Sequence, residues 1–152
     1  YVQDRGYALR FALEAKPNEP RGDIYFATTA AYLAFIETLD QPDMVGVNPE
    51  WAHIKMAGLN PLHEFAQCLE ARKLVDIHLN AQKPLRYDQD MSFGADNPKE
   101  ALLVVKLLTD YGYAGTKTFD DASAVSHNGL HEVMSLLRGM APFLRCSTGV
   151  AE

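Results

Sequence analysis

The stretch "YDQD" at residues 87–90 sets two carboxylates, Asp88 and Asp90, close together behind a tyrosine. Each raises the cost of ionising the other. The pair therefore reads either as a solvated loop, where the repulsion is weak, or as part of a cation site, where hard oxygens converge. Residues suited to the second reading recur along the chain. Glu14, Glu50, His78 and Asp120 each stand at or just past the end of a strand-like stretch, about one strand–helix unit apart. His53 follows Glu50 at i+3, which puts both on one side of a helical turn, where they could share an ion. Lys16 follows Glu14 at i+2, on the same side of an extended segment, where its ammonium could polarise a carbonyl oxygen. His127 and His131 have the spacing of a helical zinc pair, but Asn128 occupies the glutamate position of H-E-x-x-H, so they read as ordinary helix histidines. The scattered glycines form no phosphate-binding loop.

Something must hold these groups in place. The 152 residues, 47% of them hydrophobic, suffice for one packed domain. The chain opens on Tyr1 and enters a strand-like pattern almost at once, as expected of a piece of something longer. Twenty acidic against 14 basic residues give a net charge of −6, which repels nucleic acid and suits a carboxylate cluster around cations. No apolar run is long enough for a bilayer, so no membrane partner is expected. Cys68 and Cys146 show neither metal spacing nor a disulfide pattern, which fits a reducing cytoplasm.

The pattern reads as four strand–helix repeats. Strands are expected over residues 7–13, 44–47 ("MVGV"), 74–79 ("LVDIHL") and 113–119. Helices are expected across "TTAAYLAFIETL", with Ala34, Phe35 and Leu39 on the buried face; from Asn60 and Pro61 to about Arg72; across "EALLVVKLLTDYG", opened by Asn97 and stopped by Gly112; and across the final "LHEVMSLLRGM". Alternation of this kind implies parallel strands covered by helices, and in a β/α barrel the strand carboxyl ends converge on one face. The strand-end groups and the YDQD loop would meet there.

The segments "LEAKPNEPRGDI", "GVNPEWAHIKMAGLN", "LNAQ", "YDQDMSFGA" and the Phe119–Asp120 pair resemble, in order and spacing, the second half of actinobacterial-type xylose isomerases. That resemblance implies that residues 1–152 are the C-terminal half of a (β/α)8 barrel, about four βα units with a C-terminal helix. It implies an aldose–ketose isomerase using two divalent ions (Mg2+, Mn2+ or Co2+), cytoplasmic and homotetrameric in its full-length form, acting on D-xylose or D-glucose by hydride shift. Glu14, Glu50 and Asp120 would hold the first ion. Glu50 would bridge to a second, held also by His53, Asp88 and Asp90. Lys16 would donate to the sugar O1, and Asp90 would join it in catalysis. Where the family reads His-Ile-Asp-Leu-Asn, this chain reads "DIHLN", so His78 stands in for a carboxylate ligand, with Asp76 roughly 6.6 Å away along the strand. A half barrel is expected to lack activity alone. The rival readings are a metal-dependent barrel hydrolase resembling endonuclease IV, which calls for more strand-end histidines, and a non-catalytic half-barrel remnant.

Overall fold

The computed structural model describes residues 1–120. The elements run β1 (Phe11–Leu13), α1 (Thr29–Ile36), β2 (Val45–Val47), α2 (Trp51–Met56), α3 (Pro61–Glu70), β3 (His78–Leu79), α4 (Pro98–Asp110) and β4 (Thr118–Phe119), with a 3-10 turn at Pro42–Met44 leading into β2. Both strand pairs are parallel. In the first, Phe11, Ala12 and Leu13 of β1 face Val45, Gly46 and Val47 of β2. In the second, His78 and Leu79 of β3 face Thr118 and Phe119 of β4. Isolated parallel bridges, Val47 to Leu74 and Glu50 to His78, join the two pairs into one row in chain order. The described residues thus form an open α/β layer with no closed barrel. The expected final helix, like His127, His131 and Cys146, lies outside the described residues.

The strands are shorter than their apolar pattern led one to expect. Residues 74–79 would make six rungs, yet only His78 and Leu79 form a ladder. Asp76 supplies one reason: its Oδ1 accepts from the Ile77 amide at 2.7 Å, diverting that donor from any neighbouring strand. The alternating arrangement survives through single hydrogen bonds such as Val75 N–H to the Val47 carbonyl at 3.0 Å and Thr118 N–H to the Ile77 carbonyl at 2.8 Å.

Helix ends follow their local chemistry closely. Asn60 Oδ1 accepts from the Leu62 and His63 amides at 2.9 and 3.4 Å, with Pro61 in the first turn of α3. Asn97 Oδ1 caps α4 by accepting from the Glu100 amide at 3.2 Å. Gly112, at φ +72°, ends α4: its amide bonds the Thr109 carbonyl and the Tyr113 amide bonds the Leu108 carbonyl. The buried face of α1 differs from expectation. Thr29 and Ile36 are buried and Tyr32 and Leu33 pack beside them, a helical i, i+3, i+4, i+7 stripe, while Ala34 is exposed on the other side. Phe35 instead meets Phe26 at 4.8 Å between ring centroids.

One core joins the layers. Trp51, Phe65, Ile36, Val47, Ile77 and Val104 are fully buried, and Trp51 meets Phe93 edge-on at 5.4 Å and 87°. Gly46 is where backbone approach is tightest. A Cβ there would run into the Lys73 carbonyl and the Val75 side chain, so the row closes only around glycine. Gly46→Ala is expected to destabilise the chain by about 1–3 kcal/mol. Chemical denaturation checks this, and a variant as stable as the parent would place that contact elsewhere.

Candidate metal centre

The strand-end groups converge at the carboxyl end of the row. Glu14 leaves β1, Glu50 is the residue before α2, His78 opens β3 and Asp120 follows β4. Loop residues Asp88 and Asp90 reach the same place. Among the described residues, three sets bring ligand atoms within 4.8 Å of one another: Glu14, Glu50 and His53; Glu50, His78 and Asp120; and Glu50, Asp88 and Asp90. Glu50 belongs to all three.

His53 sits among the carboxylates. Its Nε2 lies 3.0 Å from Asp88 Oδ2 and 3.2 Å from Glu50 Oε1, and its Nδ1 lies 3.3 Å from Glu14 Oε1. Burial alone would lower the imidazole pKa, but the Asp88 hydrogen bond and the surrounding carboxylates raise it. His78 Nδ1 is in a similar position, 3.3, 3.4 and 3.5 Å from Glu14, Glu50 and Asp120 oxygens. Asp76, the other half of the exchanged pair, faces away and accepts from Thr118 Oγ1 at 3.2 Å.

Lys16 Nζ is bound to Asp88 Oδ2 at 2.9 Å and to Glu19 Oε2 at 3.2 Å. Burial opposes its charge, but these two carboxylates outweigh that and raise its pKa. Asp88 is burdened by burial, yet its bonds to His53 and Lys16 pull its pKa down to about 2. Burial pushes the nearly inaccessible Glu50 well above the usual carboxylate range, and Glu14 and Asp88 add to this against His53 and Asn80. Asp90 is raised by burial and by the nearby Asp88 and Asp120 charges.

This is a costly arrangement for a protein without a compensating cation. Among the described residues, Asp88 Oδ1 is buried with no hydrogen-bond partner, as is His53 Nδ1, whose approach to Glu14 is not a hydrogen bond. Buried polar atoms left unsatisfied beside a cluster of carboxylates fit divalent ions. Oxygen-rich donors suit Mg2+, and two imidazoles admit Mn2+ or Co2+.

Three amide residues escaped the sequence reading. Asn48 Nδ2 donates to Glu14 Oε2 at 2.9 Å. Fully buried Asn80 donates to Glu50 Oε1 and Asp90 Oδ1, both at 3.0 Å, while its Oδ1 accepts from the Ala52 amide at 2.8 Å. It thereby orients two carboxylates and the start of the helix carrying His53. The third is Gln82, fully buried beneath the YDQD loop.

Fold and centre together define an α/β protein with a clustered carboxylate–imidazole site suited to divalent cations. The chain is 53% identical over 139 residues to the xylose isomerase of Thermus thermophilus, covering 91% of this chain and 36% of that one. It is 52% identical over 139 residues to that of Thermus caldophilus and 53% identical over 120 residues to that of Streptomyces lividans. No protein-family profile matches it. The shared stretch makes this chain a relative of the xylose isomerases, spanning about a third (36%) of the length of the first two.

The position of His78 has a measurable consequence. As an ion ligand, an imidazole there would give the Glu50–Asp120 set one negative charge fewer than a carboxylate would. His78→Asp is expected to tighten Mg2+ on the order of tenfold, about 1.4 kcal/mol, and to change Mn2+ or Co2+ less. Metal titrations of both forms decide it, and equal Mg2+ affinity would remove residue 78 from the ligand set.

Proposed function

We propose that this chain supplies the metal-binding and lysine-bearing part of an aldose–ketose isomerase acting on D-xylose, with D-glucose as a further substrate. In this reading residues 1–152 are the C-terminal half of a (β/α)8 barrel, and the complete protein is a cytoplasmic homotetramer with a small sugar as its partner. The observation that carries it is the sharing of Glu50 among three ligand sets with Lys16 held beside them. Glu14, Glu50, His78 and Asp120 would hold one ion; Glu50, His53, Asp88 and Asp90 would hold the other.

Bound divalent ions supply Lewis-acid polarisation of neighbouring sugar oxygens, the chemistry that moving a hydrogen between C2 and C1 needs. The chain's own residues prepare the site for it. Lys16 has three N–H donors, and Asp88 and Glu19 take two, leaving one for the sugar O1. Asn80 fixes the Asp90 carboxylate for a substrate hydroxyl.

The test is isomerisation by the complete protein that carries this chain. Exhaustive chelation is expected to reduce xylose–xylulose interconversion to background, and added Mg2+, Mn2+ or Co2+ to restore it. Full turnover in metal-free buffer would sink the proposal.

A further inference from the structure

The loop that delivers Asp88 has no regular structure, and its outer residues are open to solvent: Leu85 is 99% and Tyr87 71% exposed. Leu85 also takes a positive φ of 58°, a conformation that a branched side chain does not favour. Such a segment has many alternatives, yet its carboxylate has to arrive within hydrogen-bond distance of both His53 and Lys16. Its base is closed by a two-way bridge, Ala81 N–H to the Met91 carbonyl at 2.7 Å and Met91 N–H to the Ala81 carbonyl at 3.1 Å. Its interior is filled by one side chain. Gln82 is wholly buried, and the two hydrogens of its Nε2 are shared among the Lys83, Arg86 and Tyr87 carbonyls at 2.9, 3.1 and 3.1 Å. Its Oε1 accepts from the Gln89 amide at 3.0 Å. Gln89 returns the contact, its own Oε1 accepting from the Lys83 amide at 3.2 Å.

Two of these bonds bracket Asp88. Gln82 holds the carbonyl of the residue before it and the N–H of the residue after it. The backbone on both sides of the aspartate is thereby fixed to a side chain that is itself immobilised by burial. We propose that Gln82 is a positioning residue: its amide clamps the peptide groups flanking Asp88 and so sets the geometry of the ion site to which Asp88 and Asp90 contribute. Only a primary amide of this length offers both donors for the carbonyls and an acceptor for the N–H. Methionine fills the space with neither, and glutamate turns oxygens toward three carbonyls. The metal part of this inference rests on the two-ion reading given above; the clamp itself does not.

The experiment uses Gln82→Met and Gln82→Glu in the complete protein, read by hydrogen exchange of the metal-free form and by titration with Mn2+ alone. The Gln89 amide is expected to exchange at least tenfold faster in both variants. Mn2+ affinity at the Asp88–Asp90 site is expected to fall ~10–100-fold, the usual loss when a group orienting a ligand is removed. Affinity at the Glu50–His78–Asp120 site is expected to stay within about twofold, which a general weakening of the fold would not allow. Unchanged exchange at Gln89, equal loss at both sites, or variants that fail to fold would each overturn the proposal. The last outcome would make Gln82 a determinant of the fold instead. A parent protein that binds fewer than two Mn2+ ions would defeat the two-ion reading, and the exchange measurement would still decide the clamp.

Discussion

On the proposed two-ion reading, replacing Glu50 by glutamine is expected to weaken both ions by on the order of a hundredfold or more and to take isomerisation by the complete protein to background. Loss of a group that only orients a ligand costs roughly 10–100-fold in metal affinity, and a shared direct ligand stands at or above the top of that range. Glu14→Gln, assigned to one ion in that reading, should do less. The variant is not expected to unfold. Glu50 is buried, and its charge is disfavoured there by desolvation and by Glu14 and Asp88. A neutral amide of the same shape removes that burden and keeps an oxygen for the Asn80 donor, now 3.0 Å from Glu50 Oε1. Metal-free melting temperature should therefore hold or rise while metal binding collapses. Calorimetry that finds two undisturbed sites in the variant would refute the shared carboxylate.

Trp51→Ala is expected to have the largest effect on stability, about 3–5 kcal/mol, the usual cost of truncating a large buried aromatic. A domain is stable by only ~5–15 kcal/mol, so the loss would be a large part of the total. The indole is fully buried, packs edge-on against Phe93, and its Nε1 has no hydrogen-bond partner among the described residues. Its contribution is therefore packing rather than hydrogen bonding, and Trp51→Phe should recover most of it. Because Trp51 lies between Glu50 and His53 in the chain, the cavity should also loosen metal binding in the alanine variant. Urea unfolding of the three forms measures this. An alanine variant within about 1 kcal/mol of the parent would show that the indole does not anchor the core.

Much of the fold could be read from residue order because its signals are local. Asn60 with Pro61, Asn97 with Glu100, and Gly112 act within one helical turn, and each is found where its chemistry places it. Strand lengths could not be read this way. An apolar pattern marks what is buried, whereas a ladder needs a free N–H at each rung, and Asp76 removes the one at Ile77. The face of α1 was likewise hidden, since Ala34 and Ile36 are both apolar and only the position of the core separates them.

At the centre, the charged groups were legible because carboxylates at successive strand ends are hard to explain as chance. Their supports were not. Asn48, Asn80 and Gln82 carry no charge and just follow the short apolar strand stretches, where an amide has no chemistry of its own to announce. Only the folded chain shows Asn80 between Glu50 and Asp90, or Gln82 gripping the peptides around Asp88. The exchange of Asp and His at positions 76 and 78 was visible, but which of the two enters the cluster was fixed by strand register. His78 does, at 3.3–3.5 Å from three carboxylates, while Asp76 turns to Thr118.

The most direct test of the central claim is electron paramagnetic resonance of the complete protein loaded with Mn2+. A carboxylate shared between two ions, as Glu50 is placed to be, couples their spins. The expected result is two bound Mn2+ ions with an exchange-coupled spectrum. A single bound ion, or two ions with the spectra of isolated Mn2+, would contradict it.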